Sequence, residues 1–248
     1  MLKLICILFF LTASHIVVGQ TERTVLRPGW QGGIQYRPLL VTPITKREFK
    51  PLVNNGFSAN MTPRTGHSFS VLVRYNFNRH VALEFGLGYT RRNHKILAEY
   101  TDSSWTDEAN FGIINYEIPV QGLYYVRLGD NLYTNILAGF TFNFFPSDVE
   151  SVGNNREMYQ RSYRREWAGI ALVANVGLEY RTEKSGYFYA GLSLHRPVQF
   201  IYSTYYYEFL SVNQLASQPI QGMYTGLDFR YFLPKSGTEK RSDRITGN

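Results

Sequence analysis

Residues 69–92 read FSVLVRYNFNRHVALEFGLGYTRR, and this stretch decides the fold. Phe69, Val71, Val73, Tyr75 and Phe77 take the odd positions before a short polar turn, and Val81, Leu83, Phe85, Leu87 and Tyr89 take the odd positions after it. Alternation of this length predicts two strands, because successive strand residues point to opposite faces. The even positions Ser70, Arg74, Asn76, Ala82, Glu84, Gly86 and Gly88 make a second, polar face that only Leu72 interrupts. Opposed residues of a hairpin share a face, so the turn must hold an odd number of residues. Asn78-Arg79-His80 meets that need, with His80 expected near a left-handed conformation. The register then sets Phe69 opposite Tyr89, Val73 opposite Phe85 and Arg74 opposite Glu84.

The pattern recurs on both sides of the hairpin. Trp30, Gly32, Ile34 and Tyr36 alternate with Gln31, Gly33, Gln35 and Arg37 in a first strand. A fourth runs from Ile113 to Arg127, with Ile114, Tyr116, Ile118, Val120 and Tyr124 against Asn115, Glu117 and Gln121. Pro119 is expected to mark a bulge or distortion there, since it has no N–H to give the ladder. Leu132 to Phe144, Ala168 to Arg181, Phe188 to His195 and Met223 to Tyr231 supply the fifth to eighth strands. Between strands, 41–65, 93–110, 146–165 and 203–219 read as long loops, while tight turns fall near Arg79, Gly129 and Ser185. Alternating long and short connections with an even strand count predict an all-β fold, an eight-stranded antiparallel up-and-down transmembrane β-barrel.

A soluble, lipocalin-like barrel competes with this reading, because alternation does not say which face is inside. Three features point the apolar face outward, to lipid. Gly86, Gly88, Gly139, Gly169, Gly177, Gly191, Gly222 and Gly226 crowd the polar face, as a narrow interior requires. Its charges come in both signs, as buried charges that need partners do, and lysine is absent from it. Tyrosine and phenylalanine gather near strand ends, where a membrane interface wants them. The expected interior ion-pair network is Arg74, Glu84, Glu117, Glu179, Asp228 and Arg230.

Of the 248 residues, 1–19 read as a signal peptide, with Lys3, an apolar core from Leu4 to Leu11 and Val17-Val18-Gly19 at the cleavage site. Residues 20–234 are then the barrel and 235–248 a polar periplasmic tail. Cys6 is the chain's one cysteine and falls in the signal, so neither a disulfide nor a thiolate metal site is expected in the mature chain. A net charge of +7 with 16% aromatic residues raises the question of nucleic acid. The aromatics lie at strand spacing in an exported chain, and nucleic acid is not an expected partner.

Catalysis is not expected either. His67, His80, His94 and His195 lack a serine and a carboxylate on a shared face, the grouping that a lipid A deacylase-like site requires. No two histidines have ligand spacing, and the glycines follow no phosphate-loop pattern, so no cofactor or metal is expected. Arg156, Arg161, Arg164 and Arg165 stand beside Tyr159 and Tyr163 in the third loop. They read either as a solvated basic loop or as a contact for lipopolysaccharide phosphates or an acidic glycan, since guanidinium forks suit such oxygens.

The hairpin, the run Asn115-Tyr116-Glu117-Ile118-Pro119-Val120 and the closing Gly226-Leu227-Asp228-Phe229-Arg230-Tyr231-Phe232 resemble the outer-membrane β-barrel domain family abundant in Bacteroidetes. That family includes PorT-like proteins and resembles the barrel half of OmpA. The resemblance implies residence in the outer membrane among its lipid and lipopolysaccharide, and a structural or surface-interaction role. A PorT-like likeness implies the alternative of an accessory component of a secretion or envelope machine, with envelope proteins as partners. No peptidoglycan-binding domain is read after the barrel, unlike the OmpA plan, so peptidoglycan tethering is not expected.

Overall fold

A computed structural model describes residues 29–46, 49–101, 105–182, 184–209 and 213–234. The expected signal peptide and polar tail lie outside the described residues. Thirteen strands and one short helix form: β1 (Gly29–Leu40), α1 (Pro43–Lys46), β2 (Leu52–Asn54), β3 (Phe57–Asn76), β4 (Val81–Tyr100), β5 (Trp105–Arg127), β6 (Leu132–Phe144), β7 (Val149–Val152), β8 (Met158–Arg164), β9 (Ala168–Thr182), β10 (Gly186–Pro197), β11 (Tyr202–Glu208), β12 (Gln214–Ile220) and β13 (Tyr224–Phe232). The long sheet runs β1-β13-β10-β9-β6-β5-β4-β3, and β3 pairs back onto β1. Eight antiparallel strands therefore close into a ring with no free edge.

In the β3–β4 hairpin, Phe69 faces Tyr89, Val73 faces Phe85 and Arg74 faces Glu84. Phe77 N–H donates to Val81 O at 3.0 Å and closes a three-residue turn. His80 is not left-handed, contrary to expectation: among the described residues, the non-glycine residues with positive φ are Asn55 and Arg156. Asn78 removes the need, because its side-chain oxygen accepts the N–H groups of His80 and Val81 at 2.8 and 2.9 Å.

Burial reverses the usual arrangement of a soluble barrel. Val71 is 54% and Leu87 62% exposed, whereas Ser70, Arg74, Asn76 and Glu84 are buried. The same holds on β9, where Leu172 and Val176 face out and Asn175 and Glu179 face in. One wall of the interior is apolar, formed by Ala82, Leu123, Tyr125, Tyr133, Leu137 and Val173.

Much of the four stretches read as long loops is strand, and this is the main correction. β3, β4 and β5 continue far past the ring, and a second sheet, β12-β11-β8-β7, stands beside their extensions. β7 lies against β5 and β12 against β2, so the extensions and the second sheet wrap a common core. That core is apolar: Phe57, Met61, Ile96, Phe111, Ile113, Met158, Tyr206 and Ile220 are buried in it. Charged and polar groups fill the ring beside its one apolar wall, and apolar groups dominate the inside of this outer half.

That inversion explains why the outer strands look like loops in sequence. On β4 the even residues face inward throughout, yet they are polar at Glu84, Thr90 and Arg92 and apolar at Ile96 and Ala98. The apolar phase shifts by one residue although the strand does not, so alternation appears broken. β3 solves the problem differently. A bulge between Arg64 and His67 swaps its inward positions, from Phe57, Ala59 and Met61 to Ser68 and Ser70. Gly66 permits it, because a Cβ there would collide with the Arg91 carbonyl.

Pro119 makes no bulge. It pairs with Thr141 on β6, and toward β4 the register is constant on both sides of a gap at Gly86 and Leu87. The missing N–H costs ladder bonds locally and leaves the strand straight in register.

Candidate functional site

The interior charges join into one chain that climbs the ring. Arg181 Nε donates to Glu179 Oε1 at 2.6 Å, and Arg74 Nη1 donates to Glu179 Oε2 at 2.6 Å. Arg74 Nε reaches Glu84 Oε2 at 3.1 Å, and Arg230 Nη1 reaches Glu84 Oε1 at 2.8 Å. Arg230 Nη2 then meets Asp228 Oδ2 at 2.6 Å, which Arg37 also approaches at 3.3 Å. Arg37 Nη1 donates to the Tyr224 hydroxyl at 3.3 Å, and that hydroxyl donates to Glu117 Oε1 at 2.9 Å. Asn115 links Glu117, at 2.9 Å, to Arg92 Nη2, at 2.6 Å.

Signs alternate along the chain from Arg181 to Arg37, so each buried charge has an opposite neighbour, as burial demands. Gln35 and Asn175 satisfy Asp228 further, each at 2.5 Å. Aromatic faces cover the guanidinium planes: Phe232 lies 3.6 Å from Arg74 Cζ, and Tyr133 lies 4.0 Å from Arg181 Cζ. The ring interior is occupied by side chains that hold one another.

All six residues expected in the network belong to this chain. Arg37, Arg92 and Arg181 belong too, though the sequence reading left them out of the network. Their signal was available, since each stands at an inward strand position. Glu117 also has His195 near it, at 3.9 Å, and His195 stacks on Tyr224 with rings 4.4 Å apart. Ser193, buried two residues away, donates instead to the Gly226 carbonyl at 3.3 Å, and among the described residues no His, Cys, Asp and Glu group gathers as a metal requires.

The third-loop arginines diverge. Arg164 is absorbed into the fold, donating to the Phe145 and Pro146 carbonyls at 2.9 and 3.0 Å. Arg156 sits at the β7–β8 tip with φ 59°. Arg161 pairs with Glu150 at 2.7 Å, and Arg165 donates to Ser203 Oγ at 2.9 Å. Arg161, which faces Tyr205, and Arg165, bound to Ser203, meet alternate residues of one face of β11.

Asp107, read from sequence as part of a polar loop, is a buried anchor for that tip. Its carboxylate accepts the N–H groups of Glu108, Asn155, Glu157 and Met158 at 2.8 to 3.2 Å. Nearby, His94 is buried between Phe49 and Phe111, and burial together with Arg92 lowers its pKa from 6.5 to about 3. Burial also pushes the Tyr202 hydroxyl up to about 12.

The family model described as outer membrane protein beta-barrel domain matches residues 19–195. A comparison with curated protein sequences returns no match. Among solved structures, the outer membrane protein OprG from Pseudomonas aeruginosa is similar with a TM-score of 0.48 and 13% identity, over 83% of this chain and 94% of that one. The outer membrane protease OmpT from Escherichia coli is similar with a TM-score of 0.43 and 7% identity, over 85% of this chain and 96% of that one.

Proposed function

The chain belongs to the outer membrane protein beta-barrel domain family and resides in the outer membrane, and from that premise we propose that it is an eight-stranded transmembrane barrel, without catalytic activity, whose interior is plugged and whose outer half makes its interactions. The observation that carries the proposal is the buried chain of ion pairs from Arg181 to Arg37, continued by hydrogen bonds through Tyr224, Glu117 and Asn115 to Arg92. An interior of eight strands is just wide enough for side chains to fill, and here the side chains that fill it are locked in ion pairs.

Two features support the membrane placement. On β5 and the turn after it, Tyr116, Ile118, Tyr124, Val126 and Leu128 are exposed, a run of twelve steps and about 40 Å along the strand at roughly 3.3 Å per residue. At the tilt of such strands, about 40°, it rises about 30 Å, enough to cover an apolar band about 25 Å tall. Tight turns mark the periplasmic end and the outer half faces the exterior, following the loop asymmetry of the class.

The test is folding and flux together. Unheated protein is expected to migrate differently from boiled protein on a denaturing gel, and reconstituted protein is expected to leave liposomes impermeable to small sugars. Steady sugar entry or stepwise bilayer conductance would overturn the plugged interior; a mature chain freely soluble without detergent would overturn the barrel.

A further inference from the structure

The second sheet carries a feature that sequence order conceals. β8 and β11 pair so that Ser203 faces Tyr163, Tyr205 faces Arg161 and Tyr207 faces Tyr159. Their alternate residues, Tyr202, Thr204, Tyr206, Gln160 and Ser162, are buried. The outward face therefore collects tyrosines from two separate stretches of the chain. Tyr163 and Tyr205 meet edge to face with ring centroids 5.7 Å apart, and Tyr159 and Tyr207 lie 6.0 Å apart. Arg161 lies between the pairs, its Cζ 4.7 Å from the Tyr163 ring.

This face begins at the level of the outward aromatic residues that end the apolar wall. Trp167 and Phe200 are exposed there, and Arg165 Cζ lies 5.4 Å from the Phe200 ring. Arg165 is exposed and, among the described residues, makes no ion pair. Its guanidinium touches the Ser203 hydroxyl, and Ser203 is the ladder partner of Tyr163. One cation at the aromatic edge is thus continuous with two tyrosine pairs that lead away from it.

We infer that the outward face of β8 and β11 binds the glycan of lipopolysaccharide, with Arg165 on an anionic group beside the bilayer and the tyrosine pairs against sugar rings beyond it. The reading rests on the membrane placement and orientation proposed above. A sugar ring offers one face of C–H groups and a rim of hydroxyls. The C–H face suits the negative π-face of a tyrosine ring, and the hydroxyls reach tyrosine O–H groups and Arg161. A guanidinium without a carboxylate suits phosphate oxygens in bidentate fashion. The membrane-bound glycolipid is favoured over a soluble glycan because the face starts at the membrane edge, where the anionic groups of an outer-leaflet glycolipid lie.

The test uses the full chain in detergent micelles with three probes: lipopolysaccharide carrying an inner sugar core, sugar-free lipid A, and soluble polygalacturonate. Heat-dependent gel migration is scored on the same samples and reports the barrel separately from the site. In folded protein, Tyr163→Ala with Tyr205→Ala is expected to weaken lipopolysaccharide binding at least fivefold, and the matching pair of phenylalanine substitutions to stay within twofold. Arg165→Glu is expected to weaken both lipopolysaccharide and lipid A about tenfold, while lipid A ignores the tyrosine changes. Wild-type affinity in the alanine variant, equal affinity for lipid A and lipopolysaccharide, or polygalacturonate binding as tight as lipopolysaccharide would each overturn the inference while leaving the barrel intact.

Discussion

Arg74 and Glu179 stand on strands diametrically opposite in the ring of eight, and the Arg74 guanidinium spans the interior to reach the Glu179 carboxylate at 2.6 Å. Glu84, its direct partner across the β3–β4 ladder, lies at 3.1 Å. One side chain thereby ties a hairpin to the far wall.

Removing that tie should cost more than either contact alone. Arg74→Met leaves two buried carboxylates with one arginine each, and a loss of about 3 to 5 kcal/mol is expected for breaking a buried pair from one side. Urea unfolding of the reconstituted barrel reads it. A double-mutant cycle between Arg74 and Glu179 should return a coupling of roughly 2 kcal/mol or more; coupling near zero would mean that the two groups do not share a stabilising contact.

Asp107 predicts a local effect. Asp107→Ala strands three backbone donors at the β7–β8 tip and a fourth, Glu108 N–H, on β5, for a loss on the order of 3 kcal/mol. The ring makes none of these contacts, so heat-dependent migration should persist while trypsin gains access after Arg156. Equal resistance to trypsin in variant and parent would show that the tip is held by something else.

His94 makes the outer half sensitive to acid. Its folded pKa, about 3, lies below its ordinary value of 6.5, so between these values the unfolded chain binds a proton that the folded chain refuses. Stability from this residue is complete above pH 6.5 and falls as pH drops toward 3, by about 1 kcal/mol between pH 6.5 and 5.5. His94→Phe, which keeps an aromatic ring between Phe49 and Phe111, should flatten that part of the profile. An unaltered slope in the variant would assign the acid sensitivity to other groups.

Deleting Gly66 should be far worse than substituting it. Without the extra residue of the bulge, aligning Ser68 and Ser70 inward forces Phe57, Ala59 and Met61 outward, since a one-residue slip turns a strand over. No folded gel species is expected from the deletion, whereas Gly66→Ala should still yield one at reduced stability. A folded deletion variant would show that the outer core tolerates either face of β3.

The ring was legible because its two environments are sharply distinct. Val71 is exposed and Arg74 buried, and wherever apolar residues face out and ions face in, hairpin register and the six network residues follow from alternation. The outer half was not legible for the same reason in reverse. Ile96 and Ala98 occupy the inward phase that Glu84 and Arg92 occupy lower down, and a reader following one phase sees noise. Asp107 looked like loop polarity because its four partners are backbone groups, which leave no trace in side-chain chemistry. The pairing of β8 with β11 joins stretches some forty residues apart, as Tyr163 and Ser203 show, and no local pattern announces it.

β3, β4 and β5 each run from ring to outer half as one strand, of 20, 20 and 23 residues, with the bulge of β3 the one register shift between them. A pull applied to the outer half along these strands loads their ladders in shear, with many hydrogen bonds sharing the force at once. On the transmembrane reading proposed above, the molecule would act as a stiff post in the bilayer, passing drag on its outer half to the membrane through continuous strands.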